Sequence, residues 1–174
     1  MSTASTAAAI STAAARPPIV GDPSPWGAID GVEPLADGVV FVCTPSHGGA
    51  WLSPAAQARM PAALQPMHGR AFWEEDCEIC AVLIVFALHD SLDRSRAIAI
   101  LARWKPLWLD ALAADHGVPT AAQVARIRRL WADFSVPGEP DFTAFTREAD
   151  TGMAHGWIGT RIFVGIEPDG RAHS

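Results

Sequence analysis

Residues Ile79-Cys80-Ala81-Val82-Leu83-Ile84-Val85-Phe86-Ala87-Leu88 are apolar at every position. The run is too short for a membrane-spanning helix, which needs about 20 residues. A helix that is apolar on every side must be enclosed by protein. The chain therefore has to supply another layer, and the residues upstream say which kind.

Val39-Val40-Phe41-Val42-Cys43 is β-branched and aromatic throughout and predicts a strand. Trp26 to Leu35 predicts a strand before it, irregular at Asp30-Gly31, and Ala36-Asp37-Gly38 supplies the turn between them. The loop Pro45–Gly49 leads to a short return strand, Ala50-Trp51-Leu52. Gly156 to Ile166 predicts a last strand that joins this meander, with Ile162, Val164 and Ile166 on one face.

The helices announce themselves by caps and stripes. Ser53-Pro54 starts one that runs to about Leu64, with Ser as cap and Pro at the first helical position. Glu74-Glu75-Asp76 opens the helix that contains the apolar run, since carboxylates suit the positive end of a helix dipole. Ser91 caps a third, with the stripe Ile98, Leu101, Trp104, Trp108, Leu112 interrupted at Pro106. Thr120-x-x-Gln123 is a capping box before a fourth stripe, Val124, Ile127, Trp131, Phe134. The expected fold class is α+β: a small antiparallel sheet, made of the N-terminal meander plus the C-terminal strand, packed against about four helices. Residues 136–150 read as loop.

Residues 1–24 read as a disordered low-complexity tail, rich in Ala, Ser and Thr and then in Pro. Residues 25–174 read as a single domain, which suits a 174-residue chain that is 49% hydrophobic. The tail lacks the basic start and Leu-rich centre of a secretory signal, although an organellar transit peptide shares its composition. Three cysteines without framework spacing do not suggest a secreted disulfide scaffold. The expected setting is cytoplasmic, with no membrane attachment. A net charge of -6 argues against general nucleic-acid binding. The helical stretch from Ser91 to Ser135 runs the other way, with seven basic residues, among them Arg103, Lys105 and Arg126, against four acidic ones. It reads as a solvated face, with contact to an acidic partner as the alternative.

Two clusters carry candidate chemistry. Ser46-His47-Gly48-Gly49 follows a strand, places a titratable imidazole there, and lets backbone approach a ligand closely. Trp73-Glu74-Glu75-Asp76 sets three carboxylates beside an indole, and clustered carboxylates can bind a metal or act as acid and base. Each also has a structural reading, a tight turn for the first and dipole complementation for the second. Cys77-x-x-Cys80 has acidic neighbours, which raise thiol pKa and disfavour redox chemistry. Cys43-x3-His47 with Cys77-x2-Cys80 would make a zinc set of three thiolates and an imidazole. Cys80, inside the apolar run, fits equally well as a packed core thiol, so neither metal nor cofactor is assigned. There is no phosphate loop, Gly-x-Ser-x-Gly or His-Glu-x-x-His.

The series Trp26-Gly27, Gly38–Val42, Ser46–Gly49, Leu52-Ser53, Met60-Pro61 and Phe72–Cys77, in this order and spacing, resembles an uncharacterised domain family of bacterial genomes, plasmids and phages marked by S-H-G-G and E-E-D-C. Trp104-Lys105-Pro106-x-Trp108 is similar to its aromatic-Pro segment. The resemblance spans about Trp26 to Asp115 and implies a fold unit rather than a reaction. It also implies that His47 and Glu74–Asp76 belong together. Cys43 and Cys80 depart from the pattern, which weakens the zinc set. The expectation is an accessory protein that binds a protein or small molecule through Ser46–Gly49 and Glu74–Asp76. The alternative is an enzyme with His47 as general base or metal ligand and Glu75 and Asp76 in its site.

Overall fold

The structure, a computed structural model, describes residues 16–88, 91–133, 140, 142, 146–147, 154–158, 161–166 and 172–173. The chain divides into two compact units, Met1–Leu88 and His89–Ser174. Composition alone puts no boundary at that point. The class is α+β, with helices and antiparallel sheets.

In the first unit the described residues begin at Arg16. Arg16 forks onto Asp22, Nη1 to Oδ2 at 2.8 Å and Nη2 to Oδ1 at 2.9 Å. Strand β1 (Pro23–Ser24) pairs with β2 (Gly27–Ala28). Gly21 N–H donates to Ile29 C=O at 2.8 Å, and Ile29 N–H donates back to Asp22 C=O at 2.9 Å. Residues 16–24 therefore form an arm that leads into the sheet. What holds them is an ion pair and backbone hydrogen bonds, neither of which shows in a composition poor in apolar side chains. Residues 1–15 of the expected tail lie outside the described residues.

The main sheet follows as β3 (Gly31–Ala36), β4 (Val39–Cys43), β5 (Gly48–Leu52) and β6 (Phe72–Glu74), antiparallel and in that spatial order. Strand residues alternate between faces. Val40, Val42, Trp51 and Phe72 lie on one face, where Ile29 and Trp26, which follow the arm, cover them. Val39, Ala50, Leu52 and Trp73 lie on the other and are fully enclosed. Helix α1 (Pro54–Arg59) packs on β5, and α2 (Ile79–Phe86) packs on β5 and β6. The apolar run thus finds its second layer in the sheet, as its composition demands.

Ser53 caps α1, its hydroxyl accepting Ala56 N–H at 3.2 Å. The helix stops at Arg59, short of the expected Leu64, because Met60, the residue before Pro61, is extended (φ -73°, ψ 134°), and Arg70 takes up carbonyls around the break. Its guanidinium donates to Gln57 C=O and Met60 C=O at 2.9 and 2.8 Å, and to Leu64 C=O and Pro61 C=O at 2.9 and 3.4 Å. Glu74 does not open a helix. It ends β6, residues 75–78 turn, and α2 begins only at Ile79 with no acidic side chain in its first turn. Phe72 and Trp73 decide this, because as strand residues they bury on opposite faces of the sheet.

In the second unit, α3 (Ser91–Trp104) and α4 (Pro106–His116) meet at Lys105, which fits the expected break at Pro106. Helix α5 (Ala121–Asp133) starts with the reciprocal capping box: Gln123 N–H donates to Thr120 Oγ1 at 3.2 Å and Thr120 N–H to Gln123 Oε1 at 2.8 Å. Ile98, Leu101, Trp108, Leu112, Val124 and Ile127 are buried as their stripes predict, but Trp104 is exposed. Phe134 lies outside the described residues. The expected last strand is two, β8 (Ala154–Ile158) and β9 (Arg161–Ile166), paired antiparallel. With β7 (Thr146–Arg147) and β10 (Ala172–His173) they form a separate sheet in the order β10-β9-β8-β7 rather than extending the meander. A hairpin satisfies its own backbone, so these strands need no place in the first sheet. No described helix is long and apolar enough to cross a membrane.

Candidate functional site

The loop between β4 and β5 is closed by Thr44. Its backbone N–H donates to His47 C=O at 2.8 Å, and its hydroxyl donates to the same oxygen at 2.9 Å. His47 N–H returns to Thr44 Oγ1 at 3.2 Å. Thr, Pro45 and Ser46 are turn residues, and the Thr hydroxyl acts as a local backbone substitute. The effect is to push Ser46 and His47 into solvent on a fixed base.

Opposite them comes the chain leaving β6. Gly49 pairs with Glu74, and Glu75 N–H extends the ladder to Gly48 C=O at 3.2 Å. This brings His47 Nδ1 within 3.8 Å of Glu75 Oε1, with side-chain exposures of 56% and 37%. The expected meeting of His47 with the acidic cluster is therefore present, but strand pairing makes it, not a helix start emerging at the sheet edge.

Gly48 and Gly49 belong to the strand and serve packing. A Cβ on Gly49 would sit 2.3 Å from Trp73 C=O and 2.5 Å from the Trp26 ring. One on Gly48 would sit 2.7 Å from Glu75 Oε2 and 3.0 Å from Phe41 Cζ, so the Glu75 carboxylate rests over bare backbone.

The remaining candidates divide. Trp73 is 0% exposed, and its indole N–H donates to Arg70 C=O at 2.8 Å, so it is core rather than contact surface. Glu74 accepts Asp76 N–H at 2.9 Å and Cys77 N–H at 3.4 Å, which ties the turn. Asp76 is exposed. Of the candidates, Ser46, His47 and Asp76 are thus exposed and Glu75 is half-buried.

Sequence reasoning missed Thr44, Arg70 and Glu78. Glu78 is only 2% exposed and accepts Met67 N–H at 3.0 Å and Glu74 N–H at 3.4 Å. Its place at the end of an acidic run hid it. Thr44 had a readable signal, a Thr-Pro-Ser turn between two strands.

Cys43 stands in a cross-strand row between Gly31 and Gly48. Burial pushes its thiol pKa up, and the hydrogen-bonded Asp30 carboxylate pushes it further, with Glu75 and Glu33 adding to the effect. A thiol so placed is a weak nucleophile. Cys80 is buried within α2. Among the described residues, no three His, Cys, Asp or Glu side chains converge as metal ligands would.

Fold and site together define an α+β unit whose exposed polar cluster sits at the end of a small sheet. A family model described as a domain of unknown function, DUF7007, matches residues 20–133, and the chain belongs to that family. The match includes most of the N-terminal arm and ends at the close of α5, so β7 to β10 lie beyond it. No curated protein matches the chain, and no solved structure matches it.

Proposed function

We propose that the protein is an accessory binding module whose ligand, a protein or a small molecule, meets the surface formed by Ser46, His47, Glu75 and Asp76. The observation that carries this reading is the His47–Glu75 approach on an exposed, backbone-locked turn. Two groups of complementary hydrogen-bonding character stand side by side, anchored by the sheet yet open to solvent. Such preorganised polar pairs add specificity to binding because little is left to order on contact. The enzyme alternative would use His47 as base with Glu75 orienting it, but the cysteine in the adjacent row is a poor nucleophile.

The test is an NMR screen of the full chain against a mixed library of small fragments and short peptides. Hits should shift the amides of residues 46–49 and 75–76. His47→Ala and Glu75→Gln should each weaken the best hit by about fivefold or more. Hits that map elsewhere, or that ignore both substitutions, would remove this reading.

A further inference from the structure

Trp104 and Leu107, at the corner between α3 and α4, are 63% and 79% exposed. The helical stripe predicts Trp104 in the core, and the break at Pro106 turns it out instead. Backbone hydrogen bonds close the corner on both sides. Lys105 N–H donates to Leu101 C=O at 2.8 Å, and Lys105 C=O accepts Trp108 and Leu109 N–H at 2.9 and 3.2 Å. Leu101, Trp108 and Leu109 beneath it are buried. Two large apolar side chains are thus displayed on a preformed base, the arrangement that makes an interface anchor cheap to order.

The charge around the corner is positive. Arg103 lies over the Trp104 ring at 5.0 Å, and Lys105 lies over the Trp108 ring at 4.6 Å. Arg96, two helical turns before Arg103, is exposed on the same side of α3. The carboxylate of Asp110 on α4 is turned to helix capping, accepting Ala121 N–H at 2.7 Å.

We propose that this corner docks an acidic, amphipathic protein segment, with Trp104 and Leu107 as apolar anchors and the exposed Arg96 and Arg103 as its charge contacts. Charge complementarity selects the acidic partner, and the exposed leucine selects protein over nucleic acid, whose phosphates gain nothing from it.

The experiment uses the full chain and a fluorescent peptide of about 16 residues with Leu at helical spacing and Glu elsewhere. A shuffled peptide and a single-stranded oligothymidine serve as comparisons. The patterned peptide should bind. Trp104→Ala and Leu107→Ser should each weaken it about tenfold, and Arg103→Glu should weaken it more at low salt than at high. The anchors are exposed, so thermal midpoints should stay near wild type, and Leu107→Met should retain most of the binding. The proposal is overturned by no binding, by equal binding of the shuffled peptide, by tighter binding of the oligonucleotide, or by sedimentation showing that Trp104 and Leu107 instead join two copies of the chain.

Discussion

Residues 53–78 and residues 91–133 are held together by different means. In the first stretch, polar side chains reach across sequence to backbone: Arg70 to four carbonyls, Glu78 to two amides, and the Trp73 indole to Arg70 C=O. In the second, apolar stripes face a shared interior, and many of the polar contacts sit at helix ends, as at Thr120 and Asp110. A stripe repeats with the helix period, so each residue's role follows from its neighbours. A clamp such as Arg70 acts once, in one geometry, on partners that nothing local reveals. The candidate site lies in the clamped unit.

The strongest test of this contrast is Arg70→Met, which keeps the aliphatic stem and deletes the fork. It should destabilise the protein by about 3 kcal/mol, because several carbonyls lose charge-assisted partners at once. Arg70→Lys should recover less than half, since one ammonium cannot reproduce a planar fork. Denaturant unfolding reads both, and a loss below about 1 kcal/mol would mean the clamp is incidental. In the helical unit the corresponding change is smaller. Thr120→Ala removes one capping partner and should cost about 1 kcal/mol by the same measurement. If it matched the loss at Arg70, the two units would not differ as described.

The smallest effect concerns the arm. The Arg16 guanidinium and the Ile19 amide hold the Asp22 carboxyl below the usual carboxylate range. A carboxyl lowered in the folded state adds stability that is present above its unfolded pKa and lost as pH falls through the folded value. The arm should therefore lose this contribution as pH falls below about 4 and through the lowered Asp22 value. A carboxyl NMR titration should show Asp22 ionising at unusually low pH in wild type and moving up in Arg16→Ala. An unmoved titration would separate the arm's order from this ion pair.

The sequence by itself determined the α+β class, the strand Val39–Cys43, the Ser53 and Thr120 caps, the break at Pro106 and the apolar helix in the middle. Each rests on local chemistry: β-branching, a side-chain oxygen beside orphan amides, a ring that cannot donate, a run with no polar face. Only the tertiary structure decided that Phe72-Trp73-Glu74 is a strand, that the C-terminal strands pair among themselves, that Trp73 is core, and that Trp104 faces water. It also decided the route by which His47 meets Glu75, through the register of β5 on β6. These outcomes depend on which face of one element meets another distant in sequence. A short stretch such as Phe-Trp-Glu fits a helix start and a strand equally well until that partner is present.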